Sequence, residues 1–521
     1  MMLAQAVQTP EVAWSLLWPL LFMAIGPVLL VTVTSLVPGT REHRFPAVYT
    51  AAIAIASAVS LYWIWNRVDE AGGRILVLDG ALSIDYFTLF ITGIISVSVF
   101  LSALLLDDYL RREGLDGPEW YVLVLLSASG GLMMAAAEDL IVTFLGLEIL
   151  SIAVYVLAAL HLRRAESQEA GFKYFVLGAL SSAFFLYGIA MIYGATGSTR
   201  LSEIGAALTL TNDRGLVPVE DSSLLLAGMA MLLVGFGFKV SAAPFHLWTP
   251  DVYQGAPTPI VGFMASAVKV AGFAGFARVF LSAFMPVGAD WRPVVGAMAL
   301  LSIVIGSFLA IRQDNVKRML AYSSISHAGF ILIGLYAAGS ADDGVAVLGS
   351  RSVLFYLAAY TVMVGGSFGV ATLVGRRGDG AHDLSDYSGL STRKPALAGL
   401  LVVLLFAQAG IPFTSGFWAK FGVIEAAVRG EHYVLAGAAM VAAVVGAYLY
   451  LKVIVSMFLA PTTDVAASGD EAALATADGS IALVPAATAA IAAAVVITLL
   501  WGVLPDLGGD LLRSAASTFV R

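Results

Sequence analysis

Five of the seven lysines in this chain lie inside long apolar segments, where an unpaired charge is costly. They are Lys173, Lys239, Lys269, Lys420 and Lys452. A charged side chain at the centre of a bilayer costs about 2.5–3.5 kcal/mol on the insertion scale. The arginines lie mainly in the polar connections, and arginine keeps its charge, whereas a buried lysine can lose its proton. The composition therefore indicates titratable cations, and with them proton transfer, within the apolar segments.

Five titratable groups fall near the middle of their apolar segments. They are Glu148, Lys239, Lys269, His327 and Lys420. Lys269, for example, lies about 12 residues into its segment, which is roughly 18 Å along a helix at 1.5 Å per residue. The lysines outnumber the acidic residues at this depth, so ion pairs do not neutralise all of them. We therefore expect these lysines to exchange protons with internal water and with the acidic neighbour.

Several of these residues also have a structural explanation. An inert ion pair is the alternative for Glu148, and a hydrogen-bonded core histidine is the alternative for His246 and His327. Lys173 lies about one turn into its segment, so snorkelling to the membrane surface is the alternative to a functional role.

Other charges are expected at the membrane surface rather than in its interior. Arg278 and Lys452 lie near the ends of their segments, from which long side chains reach the interface. Glu138 lies at the outer end of the fifth segment and is expected to be solvated. Lys317 and Arg318 open the tenth segment at the inner surface, where basic residues are common.

Two of the apolar segments contain a proline in their interior, near a lysine. In GFGFKVSAAPFHLWTPD, Pro244 follows Lys239 and precedes His246. Proline lacks a backbone N–H and its ring clashes with the carbonyl four residues earlier, so the helix bends or ends there. In lipid, the freed carbonyls are satisfied only by protein or by internal water. AGIPFTSGFWAK, with Pro412 and Lys420, repeats the arrangement, and both breaks are expected to form polar pockets.

The composition is that of an all-α integral membrane protein. Of the 521 residues, 59% are hydrophobic and 12% are charged, whereas soluble domains carry about 25% charged residues. The apolar residues form runs of about 20, the length that spans the hydrocarbon core as a helix. We predict about fourteen membrane-spanning helices: 13–34, 46–65, 83–106, 119–137, 139–160, 170–194, 222–243, 257–284, 293–312, 317–338, 352–375, 395–428, 433–458 and 482–504.

The segments outside the apolar runs predict further structure and an orientation. Residues 201–211 predict a short helix along the surface, and residues 461–480 predict a polar, acidic loop. The amino terminus has no basic residue ahead of the first apolar run, which favours a retained first helix over a signal peptide. Connections after odd-numbered helices hold thirteen lysines and arginines, against seven after even-numbered helices. The positive-inside rule then places both termini on the outer side.

The two broken helices are the seventh and the twelfth, so they cross the membrane in opposite senses. Helices 4–8 and 9–13 are therefore predicted to be inverted five-helix repeats, as in many transporters. Four parts are expected: helices 1–3 in residues 1–118, the first repeat in 119–285, the second, inverted repeat in 286–460, and the acidic loop with helix 14 in 461–521.

Several function classes are excluded by what the sequence lacks. There is no cysteine, so disulfides, thiolate-held iron–sulfur clusters and cysteine zinc sites are absent from this chain. Neither a P-loop nor a dinucleotide-binding glycine motif is present. The net charge of −8 gives no reason to expect nucleic acid as a partner. We therefore expect no cofactor and no metal in this chain.

Four stretches resemble a known membrane family: EAGFKYFVLGALSSAFFLYGIAMIYGATGS, KVSAAPFHLWTPDVYQGAPTP, NVKRMLAYSSISHAGF and GIPFTSGFWAKF. Across roughly residues 80–460, the chain resembles the antiporter-like subunits of proton-pumping NADH–quinone oxidoreductase, respiratory complex I. The resemblance implies a subunit that moves protons, coupled to quinone reduction elsewhere in the complex, and that holds no redox site of its own.

The same resemblance implies roles for the residues of the first repeat. Glu148 looks like the carboxylate of the fifth helix that pairs with a lysine of the seventh, here Lys239. Lys173 looks like the lysine of the sixth helix that tunes this pair.

The resemblance also implies roles for the remaining titratable residues. Lys269 looks like the central relay on the eighth helix, and Lys420 looks like the terminal lysine next to the exit. His246 and His327 look like the histidines that connect these groups.

The resemblance also implies partners and a location. The expected neighbours are the membrane subunits designated K, M and J and the lateral helix of subunit L, together with lipids, in a bacterial inner membrane. FMN, iron–sulfur clusters and quinone are expected in other subunits. Lys420 argues against subunit M itself, which carries a glutamate there, and the short tail after the last helix argues against subunit L.

Two other functions stay open. Multisubunit sodium/proton antiporters share the fold and some motifs, although the run KYFVLGALSSAFFLYG favours the complex I subunits. A scaffold that only links other membrane subunits is the third possibility, and the surplus of lysines in the apolar segments argues against it.

Overall fold

The prediction of an all-helical membrane protein is confirmed by the structure, a computed structural model that describes residues 12–40, 44–115, 117–210, 223–459 and 485–519. Within these residues, twelve helical segments are long and apolar enough to cross a membrane. Two shorter apolar helices, Ser223–Lys239 and Pro395–Ala409, fall in the seventh and twelfth predicted spans. The chain is therefore a multi-pass membrane protein.

The first half of the chain contains a small hairpin among its helices. It has α1 (Trp18–Leu36), α2 (Phe45–Glu70), β1 (Arg74–Val77), β2 (Leu82–Asp85), α3 (Tyr86–Glu113), α4 (Glu119–Ala136), α5 (Leu140–Ala159), α6 (Ala165–Thr196), α7 (Leu201–Leu210), α8 (Ser223–Lys239), α9 (Trp248–Gly255), α10 (Thr258–Phe263) and α11 (Lys269–Ser282). The strands are antiparallel, with Arg74 paired with Asp85. Residues Met264–Val268 form a π-helical turn between α10 and α11.

The second half contains helices and no β-strand among the described residues. It has α12 (Gly288–Ile311), α13 (Val316–Ala338), α14 (Asp343–Val374), α15 (Leu390–Arg393), α16 (Pro395–Ala409), α17 (Ser415–Arg429) and α18 (Tyr433–Leu459), followed by the helices Pro485–Val503 and Gly509–Ser517. The short helix predicted at 201–211 is observed as α7, and the loop predicted at 461–480 lies outside the described residues.

Some helices begin earlier than hydropathy predicts. The helix α6 begins at Ala165 rather than 170, and α14 begins at Asp343 rather than 352. Asp342 caps α14 by accepting a hydrogen bond from the N–H of Val345. A polar first turn of this kind extends a helix beyond its apolar segment. The length of the apolar segment therefore underestimates the length of these helices.

Two of the most buried helical segments carry central titratable residues. In α10–α11 every side chain of the most apolar window is buried, and in α13 and α14 the share is 94%. In α18 it is only 28%, so most of that helix faces outwards. Lys269 on α11 and His327 on α13 are therefore held at the centre of the bundle.

Glycines allow these central helices to approach closely. A Cβ on Gly306 of α12 would lie 2.4 Å from the backbone nitrogen of Ser326, and one on Gly329 of α13 would lie 2.6 Å from Ile303. Small residues at helix contacts are the usual means of close packing in membranes, where lipid tails are as apolar as the side chains. The tight α12–α13 pair fixes the position of the segment that carries His327.

A buried ion-pair cluster lies at the carboxyl-terminal end of α11, which we call the Arg278 end of the bundle. The guanidinium of Arg278 binds both carboxylate oxygens of Asp85, at 2.6 and 2.8 Å, and donates to the carbonyl of Ala135 at 3.0 Å. Glu138 lies 3.6 Å from Arg278 and 2.7 Å from Arg74. The predictions that Arg278 snorkels and that Glu138 is solvated were therefore wrong, because α3, α4 and the hairpin enclose both side chains.

A second buried cluster, around Asp379, lies at the opposite end, where α10 begins; we call it the Asp379 end. Asp379 accepts hydrogen bonds from Arg164 at 3.0 Å and from the hydroxyl of Thr258 at 2.6 Å. Its carboxylate also contacts His382 at 2.8 Å and Lys317 at 3.6 Å. Lys317 is fully buried and donates to a backbone carbonyl, so the prediction that it lies at the surface was wrong.

The charges around Asp379 explain how the bundle tolerates a buried carboxylate. Burial alone would raise the pKa of the Asp379 carboxyl, but Lys317, His382 and Arg164 together hold that pKa well below its ordinary value. The cluster joins the loop after α14 to α6, α10 and α13. It ties residues of the first predicted repeat to residues of the second.

The same cluster makes the stability of this end depend on pH. Burial lowers the pKa of His382 below its ordinary value of 6.5. The unfolded chain then binds a proton that the folded chain does not, so stability is present above about pH 6.5 and is lost as the pH falls below it. We expect the unfolding temperature of the purified protein to fall between pH 7 and pH 5, and His382→Gln to reduce that slope. An equal slope in the variant would contradict this prediction.

Candidate proton-transfer site

The first break separates α8 from α9 and is satisfied by protein groups. Ser241 has a positive φ of 62°, which turns the chain after α8. The carbonyl of Phe238 accepts hydrogen bonds from the N–H of Ser241 at 3.1 Å and from the indole of Trp248 at 3.0 Å. The N–H of Ala243 donates to the hydroxyl of Ser302 at 2.8 Å. The break around Pro244 is thus a defined polar site at the carboxyl-terminal end of α8.

Lys239 is the last residue of α8 and is buried among polar and aromatic groups. Its ammonium nitrogen donates to the hydroxyl of Ser151 at 2.7 Å and lies 5.8–5.9 Å from the ring centres of Tyr155 and Tyr174. Glu148 lies one turn before Ser151 on α5. Glu148 and Lys239 do not form an ion pair within 4.0 Å, and Glu148 Oε1 has no hydrogen-bond partner in the described part of the chain.

Lys173 lies apart from Lys239. Its ammonium contacts Glu169 at 2.7 Å and Asp251 at 2.9 Å, and 41% of its side chain is exposed. Asp251 also binds Arg318 at 2.7 Å. These residues line an open polar cavity of about 430 Å³ at the Asp379 end. The structure therefore places Lys173 at the mouth of this cavity, and its contacts are with Glu169 and Asp251.

His246 lies in the first break and is buried. Its Nδ1 has no hydrogen-bond partner among the described residues. An unsatisfied ring nitrogen in a buried site is costly unless a water molecule or another partner binds it.

Lys269 begins α11, directly after the π-helical turn. Its ammonium donates to the carbonyl of Ser324 at 2.8 Å and to the hydroxyl of the same residue at 2.5 Å. It also lies 5.8 Å from the ring centre of Tyr360. Single π-helical turns often occur at functional sites. The turn here immediately precedes Lys269, whose side chain contacts α13.

His327 lies one turn after Ser324 on α13, with both ring nitrogens bound. Nδ1 contacts the hydroxyl of Tyr356 at 2.7 Å, and Nε2 contacts the hydroxyl of Tyr450 at 3.1 Å. Lys269 contacts Ser324, one turn before His327 on α13, and Lys420 lies over the ring of Phe330, one turn after it. His327 therefore lies between the residues of α13 that the two lysines contact.

The second break separates α16 from α17. Gly410 and Phe413 have positive φ angles of 88° and 68°, so the chain turns twice between the two half-helices. Lys420 reaches back from α17, and its ammonium donates to the carbonyl of Ala409 at 2.9 Å. That carbonyl belongs to the carboxyl-terminal end of α16, where the helix dipole favours a cation. The ring centre of Phe330 lies 5.1 Å away on α13.

Five of the seven predicted residues form two groups, and Lys173 and His246 are the other two. Glu148 and Lys239 form the first group, and Lys269, His327 and Lys420 form the second. The side chain of Lys239 packs near Gly272 of α11, one turn from Lys269, which brings the groups together. Sequence reasoning missed the hydroxyls that bind them, among them Ser324 in the run YSSISH, where consecutive polar residues in an apolar helix were the available signal.

This fold is that of antiporter-like membrane subunits. Residues 137–446 match the family described as NADH:quinone oxidoreductase/Mrp antiporter, transmembrane. The chain is 40% identical to NADH-quinone oxidoreductase subunit N of Parafrankia sp., over 99% of this chain and 98% of the relative.

Solved structures show the same architecture. A chain of respiratory complex I from Thermus thermophilus with bound Aureothin matches with a TM-score of 0.75 and 30% identity, covering 95% of this chain and 100% of that one. A chain of the Mrp complex from Dietzia sp. shares the fold, with a TM-score of 0.80, 20% identity, and coverage of 97% and 98%. The chain belongs to the subunit N family of NADH-quinone oxidoreductase, and it is a membrane subunit of that enzyme.

Proposed function

We propose that this chain moves protons through the membrane along a path formed by Glu148, Lys173, Lys239, His246, Lys269, His327 and Lys420. The driving energy comes from quinone reduction in other subunits of complex I. One observation carries the proposal. The ammonium groups of Lys239, Lys269 and Lys420 are buried and bind only neutral oxygens, whereas the lysine ion pairs in the described residues are those of Lys173, Lys317 and Lys452.

Cations without fixed counter-charges suit proton transfer for a physical reason. A nearby carboxylate stabilises the protonated form of a lysine, and apolar surroundings stabilise the neutral amine. Glu148 lies one turn from Ser151, to which Lys239 is bound, so a movement of α5 or α8 makes or breaks an ion pair between Glu148 and Lys239. A proton released by Lys239 then passes toward Lys269 and His327, and Lys420 releases one at the far end. Lys173 and His246 connect the first group to the polar cavity at the Asp379 end.

The proposal includes fourteen membrane crossings, with the half-helix pairs α8–α9 and α16–α17 counted as one crossing each. Inverted repeats at 119–285 and 286–460 then place one break in each repeat, at Pro244 and Pro412. The positive φ of Ser241 and that of Phe413, each within a break, support this pairing. Residues 1–118 and 461–521 would flank the repeats, with both termini on the outer side of a bacterial inner membrane.

The complex I relatives suggest the surroundings of this subunit. We propose that it contacts other membrane subunits of complex I, namely K, M and J, and the lateral helix of L, with lipids filling the remaining surface. FMN, iron–sulfur clusters and quinone would be held by other subunits. In the described residues no cluster of three histidine or carboxylate side chains is placed to hold a metal ion.

The proposal is tested with Lys239→Ala and Lys420→Ala in the assembled complex. We expect each variant to assemble, to oxidise NADH more slowly, and to pump fewer protons per electron. Each variant lacks one titratable residue of the proposed path. The measurement is the proton-to-electron ratio in sealed vesicles. Lys394→Ala is the matched control, since Lys394 lies between α15 and α16 and outside the path. Normal stoichiometry in both variants would defeat the proposal.

A cation/proton antiporter subunit is the second candidate. The family that matches residues 137–446 includes Mrp antiporters, and the fold is shared with the Mrp complex. This function predicts sodium-dependent proton flux in vesicles that cannot oxidise NADH. The identity to subunit N relatives over the whole chain favours the first candidate.

A further inference from the structure

An apolar groove lies between α2, α3 and α14, apart from the residues of the proposed proton path. It has a volume of about 530 Å³, and Trp501 and Leu511 of the last two described helices also line it. Ligand pockets in proteins typically have volumes of about 300–1,000 Å³. The groove is therefore large enough to hold part of an organic molecule.

The groove runs along the helices rather than across them. Residues 58–66 of α2 and 89–97 of α3 supply most of its walls, and each stretch is about 12 Å long at 1.5 Å per residue. At the end nearer the middle of the two helices, which we call the deep end, the hydroxyl of Ser96 lies 3.0 Å from that of Ser57. Both helices are long and apolar enough to cross a membrane. The groove thus follows the direction in which the acyl chains of lipids lie.

The two ends of the groove differ in polarity. Among the described residues that line it, only Asn66 and Thr361 have side chains that are neither hydrocarbon nor aromatic, and the Thr361 hydroxyl is bound to the carbonyl of Leu357 at 2.8 Å. Asn66 lies at the opposite end from the deep end, which we call the mouth, together with Tyr62 and Trp65. Tryptophan and tyrosine are enriched at the headgroup level of membranes. The groove is therefore apolar along its length and polar at its mouth, as a phospholipid is.

The last turn of α2, beside the mouth, carries charges of both signs. Arg67 and Glu70 are exposed, and neither forms an ion pair within 4.0 Å in the described part of the chain. Asp69 accepts a hydrogen bond from the hydroxyl of Tyr86 at 2.7 Å. Guanidinium groups bind phosphate, and carboxylates bind ammonium groups. A headgroup that contains both a phosphate and an ammonium group therefore complements this turn.

The groove opens toward the surroundings of the bundle. Tyr62 and Val97 on its rim are exposed, and only 33% of the most apolar window of α2 is buried. In a membrane, the surroundings of such a segment are hydrocarbon chains. An unfilled apolar groove loses dispersion contacts, and an acyl chain of matching length supplies them.

We propose that this groove binds one acyl chain of a zwitterionic phospholipid such as phosphatidylethanolamine. The chain lies between α2 and α3 and contacts α14, and the headgroup lies at the last turn of α2. There Arg67 binds the phosphate and Glu70 binds the ammonium group. The bound lipid fills the space between the three helices. This inference is independent of the proton path and goes beyond the proposed function.

Two other occupants have to be distinguished from a phospholipid. A side chain of a neighbouring subunit would fill the groove permanently and would not exchange with added lipid. The isoprenoid tail of a quinone would enter the same apolar space. A quinone ring, however, carries neither a phosphate for Arg67 nor an ammonium group for Glu70.

The test uses phosphatidylethanolamine that carries a photoreactive diazirine in one acyl chain, added to the assembled complex in lipid nanodiscs. Irradiation should label the groove residues of α2 and α3, which peptide mass spectrometry identifies. Gly93→Leu and Ala58→Leu are the blocking variants. A Cβ at Gly93 would lie 3.5 Å from Leu61, which is an ordinary contact, so a leucine there enters the groove without displacing the backbone. Val59→Leu is the matched control, because Val59 lies on the same helix, is 61% exposed and does not line the groove.

We expect each blocking variant to assemble and to reduce labelling of the groove about tenfold, because the added methylene groups and the acyl chain compete for the same space. The control should be labelled like the unmodified complex. NADH oxidation by each complex reports its assembly. Equal labelling of the blocking variants and the control, or no labelling of the groove in the unmodified complex, would overturn the proposal.

Competition in the unmodified complex, which needs no variant, identifies the occupant. An excess of unlabelled phosphatidylethanolamine should abolish the labelling, and the same excess of a long-chain quinone should leave it unchanged. Displacement of the label by the quinone would overturn the assignment to a phospholipid. Phosphatidylglycerol with the same diazirine has no ammonium group and should label the groove less. Equal labelling by the two phospholipids would overturn the role of Glu70.

Discussion

Lys269→Met should abolish proton translocation through this subunit while leaving the protein folded and at least as stable. The methionine side chain has a similar length and fills the same space between α11, α13 and α14. It removes a cation that is fully buried and bound only to Ser324. Replacement of a buried charged group by a well-packed apolar one is often neutral or stabilising by about 1–4 kcal/mol. A Lys269→Met variant that is at least as stable but does not pump protons would therefore identify Lys269 as a functional residue.

The measurement is the proton-to-electron ratio in sealed vesicles, together with the unfolding temperature of the purified complex. Loss of the Lys269 amine should lower the subunit's own proton translocation by about 10²-fold or more, which is the typical contribution of a positioned proton-transfer group. Lys452→Met is the control, because Lys452 binds Asp314 and backbone carbonyls at a helix end. Normal pumping in Lys269→Met, or a large loss of stability, would show that this lysine is structural.

Arg278→Met should destabilise the protein by about 3–5 kcal/mol, which is the usual effect of removing one partner of a buried ion pair. Asp85 would be left with no guanidinium at its carboxylate, in a site where both side chains are at most 1% exposed. Glu138 would lose one of its two arginines, although Arg74 would remain. The expected result is a lower unfolding temperature and poorer assembly, with less effect on the pumping of the protein that does assemble.

A second substitution should recover part of this loss. Asp85→Asn removes the buried charge. The amide oxygen of the asparagine can still accept the hydrogen bond from the N–H of Thr88, and this hydrogen bond caps the start of α3. We expect Arg278→Met with Asp85→Asn to be more stable than Arg278→Met alone. Arg351→Met is the control, since its ion pair with Asp506 is exposed and such pairs contribute about 0–1 kcal/mol. Equal effects of Arg278→Met and Arg351→Met would contradict the prediction.

The breaks show how much of the site local chemistry determines. Pro244 lies in the first break and Pro412 in the second, as the loss of an N–H and the steric clash with the preceding turn require. The lysines near the breaks could also be identified, because a cation in an apolar segment is costly and rarely accidental. Their partners could not be predicted. Ser151 is 88 residues from Lys239, and Ser324 is 55 residues from Lys269.

Depth along a helix was a poor guide to burial near helix ends. Arg278 and Lys317 were expected at the membrane surface, and both are buried in ion-pair clusters. Both residues lie near the ends of their helices, as predicted, but neighbouring loops and strands cover those ends. Lys173 is the opposite case. It lies within a predicted membrane span, yet its side chain is partly exposed in a polar cavity with Asp251.

The sequence by itself determined the membrane environment, the helices, the two breaks and the titratable residues, because each follows from local hydropathy, proline chemistry or the cost of a charge in lipid. Only the tertiary structure decided which residues meet. It bound Lys269 to Ser324 on α13, one turn before His327, and it placed Glu148 one turn from Ser151, the residue that binds Lys239, without an ion pair to that lysine. Those outcomes depend on how helices far apart in the chain pack together, which no local pattern contains.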